Sequence, residues 1–146
     1  MARQTVVDDL APLRARLRAS TADLHCALEA RLDLLSPHLS LQRYRRLLVG
    51  LHGYYSAIEP RLVSLARKLR SPLPVLVRAG LLERDLISLG LSPDGPRCEE
   101  LPALREREHL AGCLYVLEGS RLGGRVIARR TLIAGIRSTK VTSVCQ

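Results

Sequence analysis

The sequence predicts an all-α protein, folded as a helical bundle. Apolar residues make up 47% of its 146 residues, mostly leucine with alanine and valine, and there is no Phe or Trp. The leucines recur at spacings of three, four and seven residues, whereas alternating β-branched runs are almost absent. The leucine spacing follows the period of a helix, whereas β-strands would require alternating β-branched runs. The length suits a single domain, 1–146, with its own core.

The first helix is predicted from about Pro12 to about Leu35. Asp8 and Asp9 precede Pro12, and acidic residues followed by proline are typical of a helix start. The pair Ser36-Pro37 is expected to end the helix. Between these signals runs an apolar stripe at helical spacing, formed by Leu13, Leu17, Leu24, Leu28, Leu32 and Leu35.

Two more helices are predicted in the middle of the chain. Ser40 is suited to cap a second helix from Leu41 to about Leu69, in which Pro60 is a point for a kink or a split. The segment 71–74 reads as a break. A third helix is predicted from about Val75 to Leu89, followed by the proline-rich loop SPDGPRCEELP.

The fourth predicted helix, from about Ala103 to Ile136, carries glycines in its interior. Each interior glycine costs about 1 kcal/mol relative to alanine. Gly112, Gly119 and Gly123 are seven and then four residues apart, so they share one helical face, and the pair Gly123-Gly124 lets the helix bend. Such a face presents bare backbone either to a flat, bulky ligand or to a second helix that crosses closely.

A histidine lies on the apolar stripe of the first helix. His25 has Thr21 one turn before it and Glu29 one turn after it. Either residue could hydrogen-bond the ring nitrogen that a metal leaves unused, which fixes the tautomer of a metal-bound imidazole. The alternative is a hydrogen-bonded core or boundary histidine with an ordinary His–Glu surface pair.

Together these two segments resemble the heme oxygenase family, in particular its bacterial biliverdin-producing branch. The pattern T-x-x-x-H-x-x-x-E is similar to the proximal helix of the family, and G-S-x-x-G-G to its distal helix. The resemblance runs from about Leu13 to about Arg130. Family members continue with further helices, whereas the last nine residues here, 138–146, are polar and β-branched without a helix period. A C-terminally incomplete heme oxygenase-like bundle is therefore expected.

The resemblance implies that heme is both cofactor and substrate and that His25 ligates its iron. It implies a catalytic set of His25, Gly119, Ser120 and Gly123, in which glycine backbone leaves room for ordered water and Ser120 anchors that water. O2 and an electron donor such as ferredoxin or a reductase would be consumed, and biliverdin, carbon monoxide and ferrous iron released. Further heme-binding residues are expected to be Arg18 (toward a propionate), Thr21, Glu29, Tyr115 (at the pocket edge) and Gly124.

Charge and composition indicate which classes of binding partner to expect. The net charge is +9, and 21 of the 23 basic residues are arginine. Because the arginines are dispersed, only four tyrosines are available for stacking and no nucleic-acid-binding motif is recognisable, no nucleic-acid partner is expected. Without a signal peptide or a run of about 20 apolar residues, a cytoplasmic protein with no membrane partner is expected.

Three classes of function remain open. The first is a heme-degrading oxygenase. The second is a non-catalytic heme-binding protein, or an inactive truncated family member. The third is a helical interaction module, whose glycine face packs against a partner helix. Hemin binding separates the third class from the other two, and turnover separates the first from the second.

Overall fold

A computed structural model of the chain describes residues 2–33, 36 and 39–133, with side chains described at 12–33, 36 and 39–120. Helices and loops, without strands, make up this part of the chain, which confirms the all-α prediction. The helices are α1 (Ala2–Leu32), α2 (Leu41–Lys68), α3 (Ala79–Ser88) and α4 (Arg107–Ile133). The chain divides into two compact units, Met1–Leu34 and Leu35–Gln146.

The first unit consists mainly of α1, which begins ten residues earlier than predicted. Pro12 lies inside this helix rather than at its start. The helix tolerates the proline there, although the missing N–H removes one backbone hydrogen bond. At the other end, Asp33 takes a left-handed conformation (φ 44°), and its N–H donates to the carbonyl of Glu29 (2.8 Å). Aspartate enters this conformation more readily than most residues, so the helix ends before the predicted Leu35, which lies outside the described residues.

The long helix α2 is close to its prediction. The Ser40 hydroxyl accepts a hydrogen bond from the N–H of Arg43 (3.2 Å), which confirms the predicted cap. The helix continues through Pro60 as one element and ends at Lys68, one residue before the predicted Leu69. Its inward face supplies most of the core of the second unit.

Helix α3 begins at Ala79, four residues later than predicted. The carboxylate of Glu59, on α2, accepts hydrogen bonds from the N–H groups of Arg78 (2.6 Å) and Ala79 (3.1 Å). The first N–H groups of a helix have no partner within the helix, and an anion there also interacts favourably with the helix dipole. This contact with α2 therefore fixes the start of α3.

The core of the second unit forms where α2 packs against α3 and α4. Its most deeply buried side chains are Leu48, Ile58, Leu62, Leu86 and Leu110. The loop after α3 lies along α2, where the Cys98 N–H donates to the carbonyl of Gly53 (3.2 Å). Approach is so close there that a Cβ at Gly53 would collide with the carbonyl oxygen of Pro96. A glycine is therefore required at this position of α2.

Helix α4 begins at Arg107, later than the predicted Ala103. His109 contributes to this start, since its Nδ1 accepts hydrogen bonds from the N–H groups of Arg105 (3.4 Å) and Glu106 (3.3 Å). The helix continues through all of its glycines to Ile133, and the predicted end at Ile136 lies outside the described residues.

Candidate functional site

The glycine face of α4 is open in the described structure. Gly112 and Gly119 are exposed, and a Cβ built on either would meet nothing within 4 Å among the described residues. At 100° per residue, they lie about 160° around the helix from Leu110 and Leu117, which face the core. Among the residues with described side chains, therefore, neither glycine forms a seam for helix packing. Gly123 lies in α4, and its surroundings are outside the described side chains.

A pair of hydroxyl groups lies beside this face. The Ser120 hydroxyl donates to the carbonyl of Leu117 (2.7 Å), and its oxygen lies 3.3 Å from the hydroxyl oxygen of Tyr55 on α2. A serine hydroxyl has one proton, and Ser120 gives it to the carbonyl. Tyr55 is therefore the donor in the contact between the two hydroxyl groups. Its own oxygen keeps acceptor capacity for a water molecule or a ligand.

Arg78 joins α3 to the same stretch of α4. Its guanidinium donates to the carbonyl of Leu117 (3.1 Å) and to the carboxylate of Glu118 (3.0 Å). Arg78 is only 8% exposed, and its backbone N–H is held by the buried carboxylate of Glu59. Hydrogen bonds that involve charged groups are roughly twice as strong as neutral ones. These bonds fix α4 to α3, and through Glu59 to α2, at the two residues directly before Gly119.

Tyr115 lines an apolar groove on α4. The groove has a volume of about 430 Å³, and its lining is Leu73, Pro74, Leu76, Ala111, Leu114, Tyr115 and Glu118. The Tyr115 side chain is 48% exposed, so it lies at the rim of the groove. The predicted place of Tyr115 at the edge of a heme pocket stays a prediction.

The predicted proximal residues all lie on α1, in the first unit. Arg18, Thr21, His25 and Glu29 are exposed, as are the leucines at 17, 24 and 28, which are 40%, 73% and 54% exposed. The Thr21 hydroxyl donates to the carbonyl of Leu17 (2.8 Å) rather than to the imidazole. Within the described part of the chain, no side chain forms a hydrogen bond with His25. The hydrogen bond predicted to orient this histidine is thus not formed within the described residues, and the residue is exposed.

Sequence reasoning missed Tyr55, Glu59 and Arg78. A weak signal existed for the first two, because they are four residues apart and therefore share one face of α2. Arg78 carries no such signal, since it is one arginine among 21 and acts across a distance of about 40 residues in the chain.

No protein-family model, curated protein or solved structure matches this chain. Among the residues that were described, no group of three or more His, Cys, Asp or Glu side chains is arranged to hold a metal ion. The described helices also include none with the combined length and apolarity needed to span a bilayer.

Proposed function

We propose that this chain binds heme and cleaves it oxidatively to biliverdin, as a heme oxygenase does. The observation that carries the proposal is the open glycine face at Gly112 and Gly119, beside the oriented Tyr55–Ser120 hydroxyl pair. His25 is proposed as the iron ligand, with Gly119, Ser120 and Gly123 on the side of the substrate where oxygen reacts. The residue roles on α1 and α4 rest on the sequence motifs.

The two exposed glycines, Gly112 and Gly119, lower the stability of α4. Relative to alanine, they cost α4 about 2 kcal/mol, and the described residues place no side chain against them in return. A flat ligand gains from such a site, because the bare backbone lets its ring system come closer by the thickness of a methyl group. The macrocycle of heme has the required shape.

The donor set also favours heme over a free metal ion. A free ion requires several protein ligands, whereas heme brings four nitrogens of its own and needs one axial imidazole. His25 is exposed, and the neighbouring leucines of α1 are exposed enough to cover apolar porphyrin surface. Arg18, two turns before His25, is proposed to pair with a heme propionate, because a guanidinium suits a carboxylate.

Bound heme would supply both the iron that binds O2 and the ring that is oxidised, with release of carbon monoxide and ferrous iron. The chain itself would manage protons and water. Tyr55 donates to Ser120, and its oxygen can accept from a water molecule, so the pair can hold water in one orientation near the glycine face. Thr21, Glu29, Tyr115 and Gly124 are proposed to border the heme without taking part in proton transfer.

The reaction also needs electrons. We propose an acidic donor such as ferredoxin or a reductase in the cytoplasm, because the net charge of +9 favours association with an acidic partner.

A second candidate is a heme-binding protein without turnover. One observation favours it: the Ser120 hydroxyl gives its only proton to the Leu117 carbonyl (2.7 Å), so Ser120 does not itself donate to a ligand in this arrangement. In the third candidate, a helical interaction module, an external helix would cover the glycine face.

A hemin titration of the full chain tests the proposal. We expect a sharp Soret band that His25→Ala abolishes and that the control variant His109→Asn retains. His109 is an exposed histidine on another helix, and an asparagine oxygen can still accept from the N–H groups of Arg105 and Glu106 at the start of α4. Circular dichroism of both variants controls for folding. The Soret band should then decay to biliverdin absorbance when a reductant, O2 and catalase are added.

The other outcomes separate the candidates. A stable Soret band without decay would select the non-catalytic heme binder. Absence of any Soret band would reject both heme proposals and leave the interaction module. Equal loss of the band in the two histidine variants would reject His25 as the ligand.

A further inference from the structure

We propose that Arg78 is a positioning residue, which holds α4 so that Ser120 meets Tyr55. The inference deepens the proposed function, on which its significance for heme chemistry rests. The contact between Arg78 and α4 is itself a property of the chain without ligand. Arg78 would act through Leu117 and Ser120 rather than by touching heme or oxygen.

Arg78 is anchored independently of α4. Its backbone N–H donates to Glu59 at 2.6 Å, and the other carboxylate oxygen of Glu59 accepts from the next residue, Ala79, at 3.1 Å. Glu59 is 2% exposed, so these bonds form in a region of low dielectric, where they are strong and costly to break. Arg78 is therefore a fixed point from which its side chain reaches α4.

The Arg78 guanidinium and the Ser120 hydroxyl share one acceptor, the carbonyl oxygen of Leu117. Arg78 Nη1 donates to the Leu117 carbonyl at 3.1 Å, and the Ser120 hydroxyl donates to the same oxygen at 2.7 Å. The Tyr55 hydroxyl therefore donates to Ser120, and the Ser120 hydroxyl donates to the carbonyl of Leu117. The charged Arg78 side chain holds that carbonyl in place. A shift of that carbonyl would move the hydroxyl group that Tyr55 must reach.

Helix α4 needs a contact with another element to hold Ser120 in place. A helix with Gly119 and the pair Gly123-Gly124 bends easily, so the helix backbone alone does not fix the position of Ser120. The contact between Tyr55 and Ser120 is long, at 3.3 Å, and a displacement of a few tenths of an ångström would break it. A rigid contact immediately before the first of these glycines is what keeps the two hydroxyl groups within reach.

The test is a double-mutant cycle of Tyr55→Phe and Ser120→Ala, measured without hemin in two backgrounds, wild type and Arg78→Gln. Amide hydrogen exchange at the slowest amides of α2 gives the opening equilibrium constant of the second unit for each variant. In the wild-type background we expect a coupling of about two- to tenfold in that constant, as for one hydrogen bond. In the Arg78→Gln background the coupling should fall to one, that is, to no coupling.

A purely structural role would lower stability in every Arg78→Gln variant but would leave the coupling unchanged, and that result would overturn the proposal. Glu118→Gln is the matched control, because it weakens the exposed partner of Arg78 and keeps the bond to Leu117, so the coupling should persist. If Arg78→Gln does not fold, Arg78→Lys takes its place. A lysine keeps the charge but lacks the fork that reaches both acceptors, so a coupling below that of the wild type is expected and an unchanged one refutes the proposal.

Failure of the heme proposal is distinguishable, because the cycle contains no hemin. A coupling that depends on Arg78 in a protein without a Soret band would support the positioning role and reject the heme function. Where hemin does bind, Arg78→Lys should slow biliverdin formation while the affinity for hemin stays within about twofold of wild type, as expected for a change confined to positioning.

Discussion

Replacing Gly119 by alanine should make the protein without ligand more stable. The new methyl group would meet nothing within 4 Å, and the position is in the interior of α4, away from its caps. Alanine is favoured over glycine in such a position by about 1 kcal/mol. For a unit of this size, that gain corresponds to a rise in melting temperature of about 3–5 °C. It also corresponds to about fivefold slower exchange of the slowest amides in α2.

Two matched glycine variants sharpen the experiment. Gly112→Ala should stabilise by a similar amount, since its surroundings are equally open. By contrast, Gly53→Ala should destabilise by at least about 1–3 kcal/mol, because its Cβ would overlap the backbone oxygen of Pro96, and neither helix nor loop can give way cheaply. The three changes are chemically identical, so their difference reports only what surrounds each glycine.

Bound hemin should reduce the stability advantage that Gly119→Ala has over wild type. If the porphyrin packs on α4 near Gly119, the methyl group of Gly119→Ala would hold the ring away, and hemin should raise the melting temperature of this variant less than that of wild type. Destabilisation of the ligand-free protein by Gly119→Ala would refute the reasoning, since it would mean that the face is already covered. Equal protection by hemin in both proteins would separate the glycine face from heme binding.

Two further predictions concern the second unit. Glu59→Gln should destabilise it by about 1.5–3 kcal/mol, because one of the two backbone N–H groups loses a charged acceptor. The control variant Glu83→Gln changes an exposed carboxylate on α3 and should have little effect. Equal effects of the two variants in urea denaturation would contradict the capping role of Glu59. Burial raises the pKa of the Cys113 thiol in the folded chain. As the pH rises, the thiol therefore loses its proton at a lower pH in the unfolded chain than in the folded one, and the free energy of unfolding should fall above about pH 9. Cys113→Ala should flatten that decline between pH 8 and pH 10.5, and the exposed Cys26→Ala should not; the same slope in all three proteins would exclude Cys113 as a cause.

Local sequence signals predicted the helices well where local interactions decide them. Ser40 and the leucine pattern placed α2 within one residue at its end and correctly at its start. Pro12 misled the prediction of α1, because a proline that is favourable in a first turn is also tolerated inside a long helix. The start of α3 depends on Glu59, about 20 residues away in the chain, and no local pattern contains that information.

The candidate site divides in the same way. Glycine spacing predicted a common face on α4, because spacing alone determines which residues share a side of a helix. Whether that face is covered depends on tertiary packing, and only the structure shows Gly112 and Gly119 to be open. The partner of Ser120 could not be predicted, since Tyr55 lies 65 residues away in the chain. The roles of His25 and its neighbours in binding heme stay predictions.

The position of the buried polar contacts relative to the glycines has an energetic reason. Glycine weakens α4 in its middle, and helix propensity cannot hold that stretch in place. The charge-assisted bonds of Arg78 to Leu117 and Glu118 lie directly before Gly119, and each bond of this kind contributes about 1.5–3 kcal/mol when buried, less at the half-exposed Glu118. Their sum is comparable to the cost of the glycines. Tertiary contacts on the core side therefore offset the missing side chains on the open side. This division leaves bare backbone exposed at Gly112 and Gly119 of α4 and still holds Ser120 in a defined place.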